Sequence, residues 1–328
     1  MEKLYVAVIG CGVYGQVHIK TYKKDERVKL IKIWSRSRER AEEVGKKFNC
    51  EWTTDLKEIA DDERIKIVSI ATPDFAHTEP AIIMLKSKKN VLIEKPMATS
   101  VKECEEILKA QKESNTKLMV NFHNRWYPPI KKAKEIIENG EIGKPINAFV
   151  RLSDVITVPT RMLSWAGRSG PHWFLFPHTI DLIRWFFKEE AKRVFALGKK
   201  EILKKKGIDT YDVVQAQIEF TESIAFFESS WVLPVSWRNN LIEFKIDIYG
   251  EKGRIEINGD NEGIEISTNK YMTPLLYDFI TEEEPIKYFI DCVINDVEPV
   301  PSGKDGLEVT RIIEAIEKSL KKKEVVEL

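Results

Sequence analysis

A lysine at the end of a short apolar run is the residue of this chain best suited to do chemistry. The run Asn90-Val91-Leu92-Ile93 leads directly into Glu94-Lys95-Pro96. An amine that is partly removed from water, or that lies near another cation, loses its proton more easily and becomes usable as an acid or a base. Such a group can take the proton of a hydroxyl as hydride leaves the carbon, or stabilise the resulting oxyanion. The alternative for Lys95 is an exposed lysine at a strand end.

A glycine fingerprint near the start of the chain indicates what that lysine would work with. Gly10-Cys11-Gly12-Val13-Tyr14-Gly15 follows the apolar stretch Leu4–Ile9 and precedes the helix-like Tyr14–Lys24. Glycines at this spacing permit a tight turn, close approach of the backbone to a pyrophosphate and close packing of the next helix. The cofactor-binding residues predicted from this motif are Gly10, Gly12, Val13, Tyr14 and Gly15. The alternative is a glycine turn in an unrelated α/β domain.

The residues after the second apolar stretch predict which dinucleotide is preferred. The position that normally carries an acidic residue for the ribose of NAD lies in Trp34-Ser35-Arg36-Ser37-Arg38-Glu39-Arg40. No acid is found at that position, whereas Ser35, Arg36 and Arg40 suit a 2′-phosphate through charge-assisted hydrogen bonds. The sequence therefore predicts NADP(H) in preference to NAD(H). The alternative is a solvated first turn of a surface helix.

Alternating strands and helices predict the fold of the first part of the chain. Apolar runs typical of strands are Leu4–Ile9, Val28–Trp34, Ile67–Ala71, Val91–Ile93 and Leu118–Asn121. Helical patterns separate them, such as Ser100–Lys112 with a serine at the N-cap. This alternation favours a parallel sheet covered on both faces. Because ligands of such sheets lie beyond the carboxyl ends of the strands, Lys95 is expected to face the cofactor.

The pattern changes after about residue 122. A helix-like segment precedes a succession of extended segments, which predicts a mainly antiparallel sheet. The predicted elements are a helix at Pro129–Asn139, strands at Ile146–Leu152, Val213–Phe220, Ile224–Trp231, Ile242–Tyr249 and Arg254–Ile257, and helical sequence again from Pro285.

Composition excludes several classes of function. With 328 residues and 43% hydrophobic content, two domains are expected. Lys+Arg and Asp+Glu both number 52, so the bulk positive charge of a nucleic-acid binder is absent. The four cysteines have no metal-ligand spacing, so no metal site and a reducing, cytoplasmic location are expected. A signal peptide is not expected, because strand-like sequence starts at Leu4, and no apolar run approaches membrane-spanning length.

The order of several motifs resembles that of the Gfo/Idh/MocA oxidoreductase family, typified by glucose-fructose oxidoreductase and inositol dehydrogenase. The resemblance covers the whole chain. The motifs are Gly10-x-Gly12-x-x-Gly15, Thr72-Pro73 with His77, Glu94-Lys95-Pro96, Asn124-Arg125-Trp126, His178-x-x-Asp181, Gly140-Glu141-Ile142-Gly143-Lys144-Pro145, Tyr249-Gly250-Glu251-Lys252-Gly253 and Ser302-Gly303-Lys304-Asp305-Gly306-Leu307.

The resemblance implies an α/β protein with two domains. Residues 1–122 would form an N-terminal Rossmann dinucleotide-binding domain, and residues 123–328 a C-terminal α+β domain for substrate binding and oligomerisation. The second domain would contain a large, mainly antiparallel open sheet. The implied activity is transfer of hydride between nicotinamide and a CHOH or C=O group of a sugar, polyol or related carbonyl compound. The partners would be this small molecule and further copies in a homodimer or homotetramer, with no nucleic acid or membrane.

The resemblance also implies roles for individual residues. Lys95 would bind the reacting oxygen, His178 would share the acid/base work, and Asp181 would orient the site or bind substrate. The spacing of three places His178 and Asp181 near one another on a helix, where Asp181 would fix the imidazole tautomer. Further cofactor-binding residues would be Thr72, Pro73, His77 and Glu94.

One departure from the family pattern concerns the expected substrate pocket. Many members have an aspartate four residues before the histidine, where this chain has Phe174. An aromatic side chain accepts no hydrogen bond from a hydroxyl, so the usual polyol-binding arrangement is in doubt. Predicted substrate-binding residues are Arg125, Trp165 and His172, although the aromatic side chains here suit ordinary core packing equally well. A dinucleotide-binding sensor without catalysis, or a reductase of an imine or tetrapyrrole-like substrate, stay open as alternatives.

Overall fold

The computed structural model describes residues 3–237, 241–259, 263–268, 272–276 and 282–328. The chain divides into two compact units. The first comprises residues 1–123 and 282–310, and the second comprises residues 124–281 and 311–328. This division differs from the predicted domains chiefly because a late segment of the chain, residues 282–310, joins the first unit.

The first unit is built on a parallel sheet of six strands in the order β3-β2-β1-β4-β5-β6. The strands are β1 Leu4–Ile9, β2 Val28–Trp34, β3 Glu51–Thr53, β4 Ile65–Ile70, β5 Asn90–Glu94 and β6 Leu118–Asn121. The central strands are apolar without alternation because helices cover a parallel sheet on both faces. The strand order reverses between β1 and β4, which is where open α/β sheets bind their ligands.

Helices connect these strands. They are α1 Val13–Lys24, α2 Arg38–Phe48, α3 Lys57–Ala60, α4 Thr78–Lys86 and α5 Val101–Ser114. Side-chain caps fix two of the helix starts, since Ser37 accepts from the backbone N–H of Arg40 and Ser100 from that of Glu103. The predicted helix with Ser100 at its N-cap is confirmed.

The second unit contains a sheet of nine strands in the order β14-β13-β12-β11-β7-β10-β9-β8-β15. Its strands are β7 Pro145–Asp154, β8 Ala191–Lys199, β9 Val213–Phe220, β10 Ile224–Ser230, β11 Ile242–Gly250, β12 Gly253–Asn258, β13 Gly263–Thr268, β14 Met272–Leu276 and the two-residue β15 Val326–Glu327. All neighbouring pairs are antiparallel except β7 with β10, which is parallel. The prediction of a mainly antiparallel sheet is confirmed, although β8 was not predicted.

Helices pack on one face of this sheet. They are α6 Pro128–Glu138, α7 Pro171–Phe174 and α8 Phe176–Phe187. The short helix α9 Ile202–Lys205 follows β8 in the chain. Helix α8 is buried along almost all of its length and packs on β7 and β10. Alternate residues of the strands are buried beneath these helices, so the opposite face of the sheet carries the exposed side chains.

Two helices follow, α10 Glu284–Ile294 and α11 Gly303–Lys322. Helix α10 packs on β5 and β6, and Arg27 bonds to Asp291 across the first unit. Gly303 lies so close to Leu118 that an added Cβ would come within 2.7 Å of its side chain. These contacts explain why residues 282–310 belong to the first unit. No helix in the described ranges is long and apolar enough to cross a membrane.

Candidate active site

The glycine loop after β1 has the shape required to hold a phosphate. Gly10 has φ +107°, and a Cβ there would lie 2.4 Å from the carbonyl oxygen of Ala71. A Cβ on Gly15 would lie 1.9 Å from the carbonyl oxygen of Gly10. Gly12, in contrast, has no heavy atom within 4 Å of its Cβ position. The first and third glycines therefore close the turn, and the second leaves the space that a pyrophosphate would fill.

The start of α1 favours an anion at this loop. Gly12 is the N-cap without a side-chain cap, and no acidic residue occurs in the first turn. The first backbone N–H groups of a helix have no intrahelical acceptor and carry partial positive charge. Burial raises the pKa of the Cys11 thiol to about 12, so this loop residue adds no negative charge. Val13 is exposed, and Tyr14 stacks on His123 with ring centroids 5.8 Å apart. The loop thus fits the diphosphate of a dinucleotide.

The residues predicted to choose the dinucleotide lie between β2 and α2. The Ser35 backbone N–H donates to the carbonyl oxygen of Thr53, and Arg36 is exposed. Arg36 makes no hydrogen bond or ion pair with any residue in the part of the chain that the structure describes. Arg40 is exposed too and contacts Glu43 at 3.4 Å. The guanidinium of Arg38 lies over the ring of Trp52, which directs this side chain elsewhere.

His77 connects two of the predicted cofactor-binding segments. Its Nδ1 lies 2.8 Å from the carbonyl oxygen of Pro96, and its Nε2 lies 2.9 Å from that of Thr72. His77 is 1% exposed. The ring therefore holds the Thr72-Pro73 loop, which follows β4, against the turn that follows β5. Because both ring nitrogens contact backbone carbonyl oxygens, the buried histidine supports the shape of the site.

Lys95 lies at the carboxyl end of β5 beside a buried carboxylate. Lys95 and Glu94 are 6% and 5% exposed. Glu94 Oε1 accepts hydrogen bonds from His18 Nε2 at 2.9 Å and Asn121 Nδ2 at 2.7 Å. Burial by itself would raise the pKa of Glu94, but the hydrogen bonds donated by His18 and Asn121 outweigh this effect and lower the pKa to about 2. An ionised Glu94 thus lies next to the lysine.

A second histidine lies close to this pair. Burial lowers the pKa of His123 to about 4, although the charge of Glu94 acts in the opposite direction. His123 is therefore neutral at physiological pH and adds no positive charge beside Lys95. His18, Asn121 and His123 were not predicted as site residues. One signal was available, because Asn121 is a polar residue at the carboxyl end of a predicted strand.

In the second unit, Asp181 is held by an arginine. Arg125 Nε donates to Asp181 Oδ2 at 2.7 Å, and Arg125 Nη2 donates to Oδ1 at 2.6 Å. Asp181 is fully buried and Arg125 is 6% exposed. The guanidinium also lies 5.1 Å from the ring centroid of Trp185. Both predicted site residues are thus joined to each other, and His178 lies buried on the same helix α8.

The aromatic residues before α8 pack against two different sets of neighbours. Phe174 contacts Trp165 and Trp231, with centroid distances of 5.9 and 5.8 Å. His172 instead contacts Tyr211 at 5.6 Å, and neither of its ring nitrogens bonds to a described residue. Burial lowers the pKa of His172 to about 4, although the Glu317 charge acts in the opposite direction. Within this unit, Trp165 therefore lies beside Phe174, whereas His172 packs as a neutral ring against Tyr211.

Comparison with known proteins agrees with this geometry. Residues 4–122 match the oxidoreductase family with an NAD-binding Rossmann fold, and residues 130–256 match the GFO/IDH/MocA C-terminal domain. This chain belongs to the Gfo/Idh/MocA oxidoreductase family. The resemblance stated from the motifs is confirmed, as is the fold class. The first unit is accordingly an NAD(P)-binding Rossmann domain.

Relatives of known activity are distant. The myo-inositol 2-dehydrogenase of Thermotoga maritima is 27% identical over 337 residues, which cover 98% of each chain. A levoglucosan dehydrogenase structure in complex with NADH and levoglucosan superposes with a TM-score of 0.89 at 24% identity, covering 99% of both chains. The myo-inositol 2-dehydrogenase structure from Lactobacillus plantarum gives a TM-score of 0.87 at 23% identity, covering 100% of both. The two structures share this fold.

Proposed function

We propose that this protein is an NADP(H)-preferring oxidoreductase that transfers hydride between nicotinamide and a CHOH or C=O group of a sugar, polyol or related carbonyl compound. The observation that carries the proposal is the buried Lys95 beside ionised Glu94, in the same unit as an open phosphate loop. Distant relatives named as inositol and levoglucosan dehydrogenases support the substrate class.

In the proposed mechanism, residues of this chain transfer the proton of the reacting oxygen. Nicotinamide, when bound, supplies or takes up the hydride. Lys95 Nζ contacts the reacting oxygen, stabilises negative charge on it and takes or returns its proton. His178 shares this proton transfer, while Asp181 acts through its pair with Arg125. Trp165 beside Phe174 supplies an apolar wall for the carbon skeleton. The loop glycines with Val13 and Tyr14, and Thr72, Pro73, His77 and Glu94, bind or shape the cofactor site.

A substrate panel tests the proposal. Sugars, inositols, uronates and keto-sugars are each incubated with NADP⁺ or NADPH and with NAD⁺ or NADH, and the nicotinamide absorbance at 340 nm is followed. We expect one compound class to give a steady absorbance change with the phosphorylated cofactor. Tight nicotinamide binding without turnover of any compound would instead support a dinucleotide-binding sensor.

Arg36→Ala is expected to weaken NADPH binding by about tenfold, because one charge-assisted contact to the 2′-phosphate is lost. NADH binding should change little, since NADH has no phosphate there. Titration of each cofactor into the protein, followed by nicotinamide fluorescence, measures both constants. Arg38→Ala is the matched control, because this neighbouring arginine lies over Trp52 instead. Tighter binding of NADH than NADPH by the unmodified protein would contradict the preference.

We also propose that the protein is a homodimer or homotetramer that associates through the open face of the second unit's sheet. Phe149 is 52% exposed there and lies 6.3 Å from Phe226 and 6.4 Å from Tyr249. Ile224 adds exposed apolar surface on the neighbouring strand β10. Contiguous apolar surface of this kind marks an interface between proteins.

Phe149→Lys is therefore expected to convert the assembly to smaller species, measured by light scattering after size exclusion. A buried charge opposite its own copy in a symmetric contact is strongly unfavourable. Ile202→Lys is the control, since Ile202 is an exposed apolar residue on α9 of the same unit. A monomeric unmodified protein would overturn this proposal and leave the proposed activity untouched.

A further inference from the structure

A buried chain of hydrogen bonds connects helix α1 with the end of β5. The Tyr22 hydroxyl lies 2.6 Å from Ser69 Oγ, which lies 2.9 Å from His18 Nδ1. His18 Nε2 in turn lies 2.9 Å from Glu94 Oε1. His18 and Ser69 are fully buried, and Tyr22 is 1% exposed. Most polar groups buried this deeply are hydrogen-bonded, because leaving one of them unpaired costs free energy.

Glu94 fixes the direction of the hydrogen bond at one end of this chain. An ionised carboxylate only accepts, so His18 Nε2 must donate to Glu94 Oε1. On the other side of the ring, His18 Nδ1 pairs with the Ser69 hydroxyl. Burial raises the pKa of Tyr22, so its hydroxyl stays protonated and pairs with Ser69 Oγ. Both ring nitrogens of His18 are therefore hydrogen-bonded.

Glu94 is held from the opposite side as well. Asn121, the last residue of β6, donates from Nδ2 to the same Oε1 at 2.7 Å. The reversed amide would place its oxygen against the carboxylate, so the assignment is determined by charge. Two donors thus converge on one oxygen, from α1 and from β6. The Glu94 side chain has no freedom to rotate without breaking one of them.

We infer that His18 is a positioning residue of the active site, which holds Glu94 and through it the turn that presents Lys95. This inference rests on the proposed role of Lys95. Glu94 is the last residue of β5 and Lys95 follows it immediately. A rotation of the Glu94 side chain would therefore disturb the backbone that positions the Lys95 amine. Ser69 and Tyr22 act one step further away, because they hold the Nδ1 side of the His18 ring.

Variants of His18 separate positioning from simple packing. His18→Leu removes both ring nitrogens and leaves Glu94 with one donor fewer. His18→Gln retains an N–H donor at a distance from the backbone similar to that of Nε2. Thr21→Val is the matched control, because Thr21 is a fully buried polar residue on α1 whose hydroxyl donates to the Val17 carbonyl oxygen of the same helix. All measurements are made well below the melting temperature of each variant.

One arm of the experiment needs no substrate. Lys95 is labelled by reductive methylation with formaldehyde and cyanoborohydride, and the modified peptide is quantified by mass spectrometry. We expect Lys95 to react faster in His18→Leu by about threefold or more, because the turn opens locally. In His18→Gln, the labelling rate of Lys95 should be close to that of the unmodified protein. In Thr21→Val, it should equal that of the unmodified protein.

The second arm uses a compound identified by the substrate panel. In His18→Leu, kcat should fall by about 10- to 100-fold because a misplaced amine misaligns the reacting atoms. NADPH affinity should change far less, and His18→Gln should recover most of the loss. If His18→Leu, His18→Gln and Thr21→Val had equal effects on labelling and on kcat, His18 would contribute only to core packing. That result would overturn the inference. If no compound is turned over, the proposed function fails while the labelling arm still tests His18.

Discussion

Lys95→Met is expected to lower kcat by a factor of about 10²–10⁴, the range that one positioned acid or base contributes. Methionine has a similar length and is apolar, so it fills the buried position without a proton to give or accept. NADPH affinity should stay close to that of the unmodified protein, because the phosphate loop and the 2′-phosphate residues are unchanged. A loss confined to kcat identifies an interaction made in the transition state.

The same strand supplies the control for this experiment. Lys89 immediately precedes β5 and is 4% exposed, and its Nζ donates to the carbonyl oxygen of Asp62 at 2.7 Å. Lys89→Met thus removes a buried amine from the amino end of the strand, away from the ligand edge of the sheet. Turnover per folded molecule should survive that change. Comparable activity of the Lys95 and Lys89 variants would show that Lys95 has no role in the mechanism.

Arg125→Met is expected to destabilise the second unit by about 3–5 kcal/mol, the usual cost of removing one partner of a buried ion pair. Asp181 would lose two charge-assisted hydrogen bonds in a fully buried position. Chemical denaturation followed by tryptophan fluorescence measures the free energy of unfolding. The double variant Arg125→Met/Asp181→Leu should recover part of the loss, because no buried charge is left.

A second arginine on α8 provides the comparison. Arg184 bonds Glu190 in the same two-pronged geometry, but the Glu190 side chain is 61% exposed. Arg184→Met should therefore cost about 1 kcal/mol or less, as exposed ion pairs do. A cost at Arg125 as small as that expected at Arg184 would contradict the prediction. Asp181→Asn, assayed for kcat as well as for unfolding, separates a role of Asp181 in catalysis from one in stability.

The elements of the first unit were largely predictable because their signals are local. β1, β2 and β6 begin and end where the apolar runs predicted, and Ser100 caps α5 as expected. The glycine spacing requires only steric facts about a few consecutive residues, and Gly10 has the positive φ that this turn needs. The second unit was less predictable. Strand β8 has charged residues interspersed among its apolar ones, and the parallel pairing of β7 with β10 joins segments far apart in the chain.

The family, the phosphate loop and the position of Lys95 at a strand end could all be predicted from the amino-acid sequence, since each depends on residues that are close together in the chain. The partners of the site residues were decided by tertiary structure. His18 bonds to a carboxylate 76 residues away, and Arg125 bonds to an aspartate 56 residues away. Helical spacing predicts that Asp181 lies near His178, and the tertiary structure adds a partner that this spacing does not indicate, since the Arg125 guanidinium binds both carboxylate oxygens. No periodicity encodes such pairs, because they form only when the fold brings together elements that are far apart in the chain.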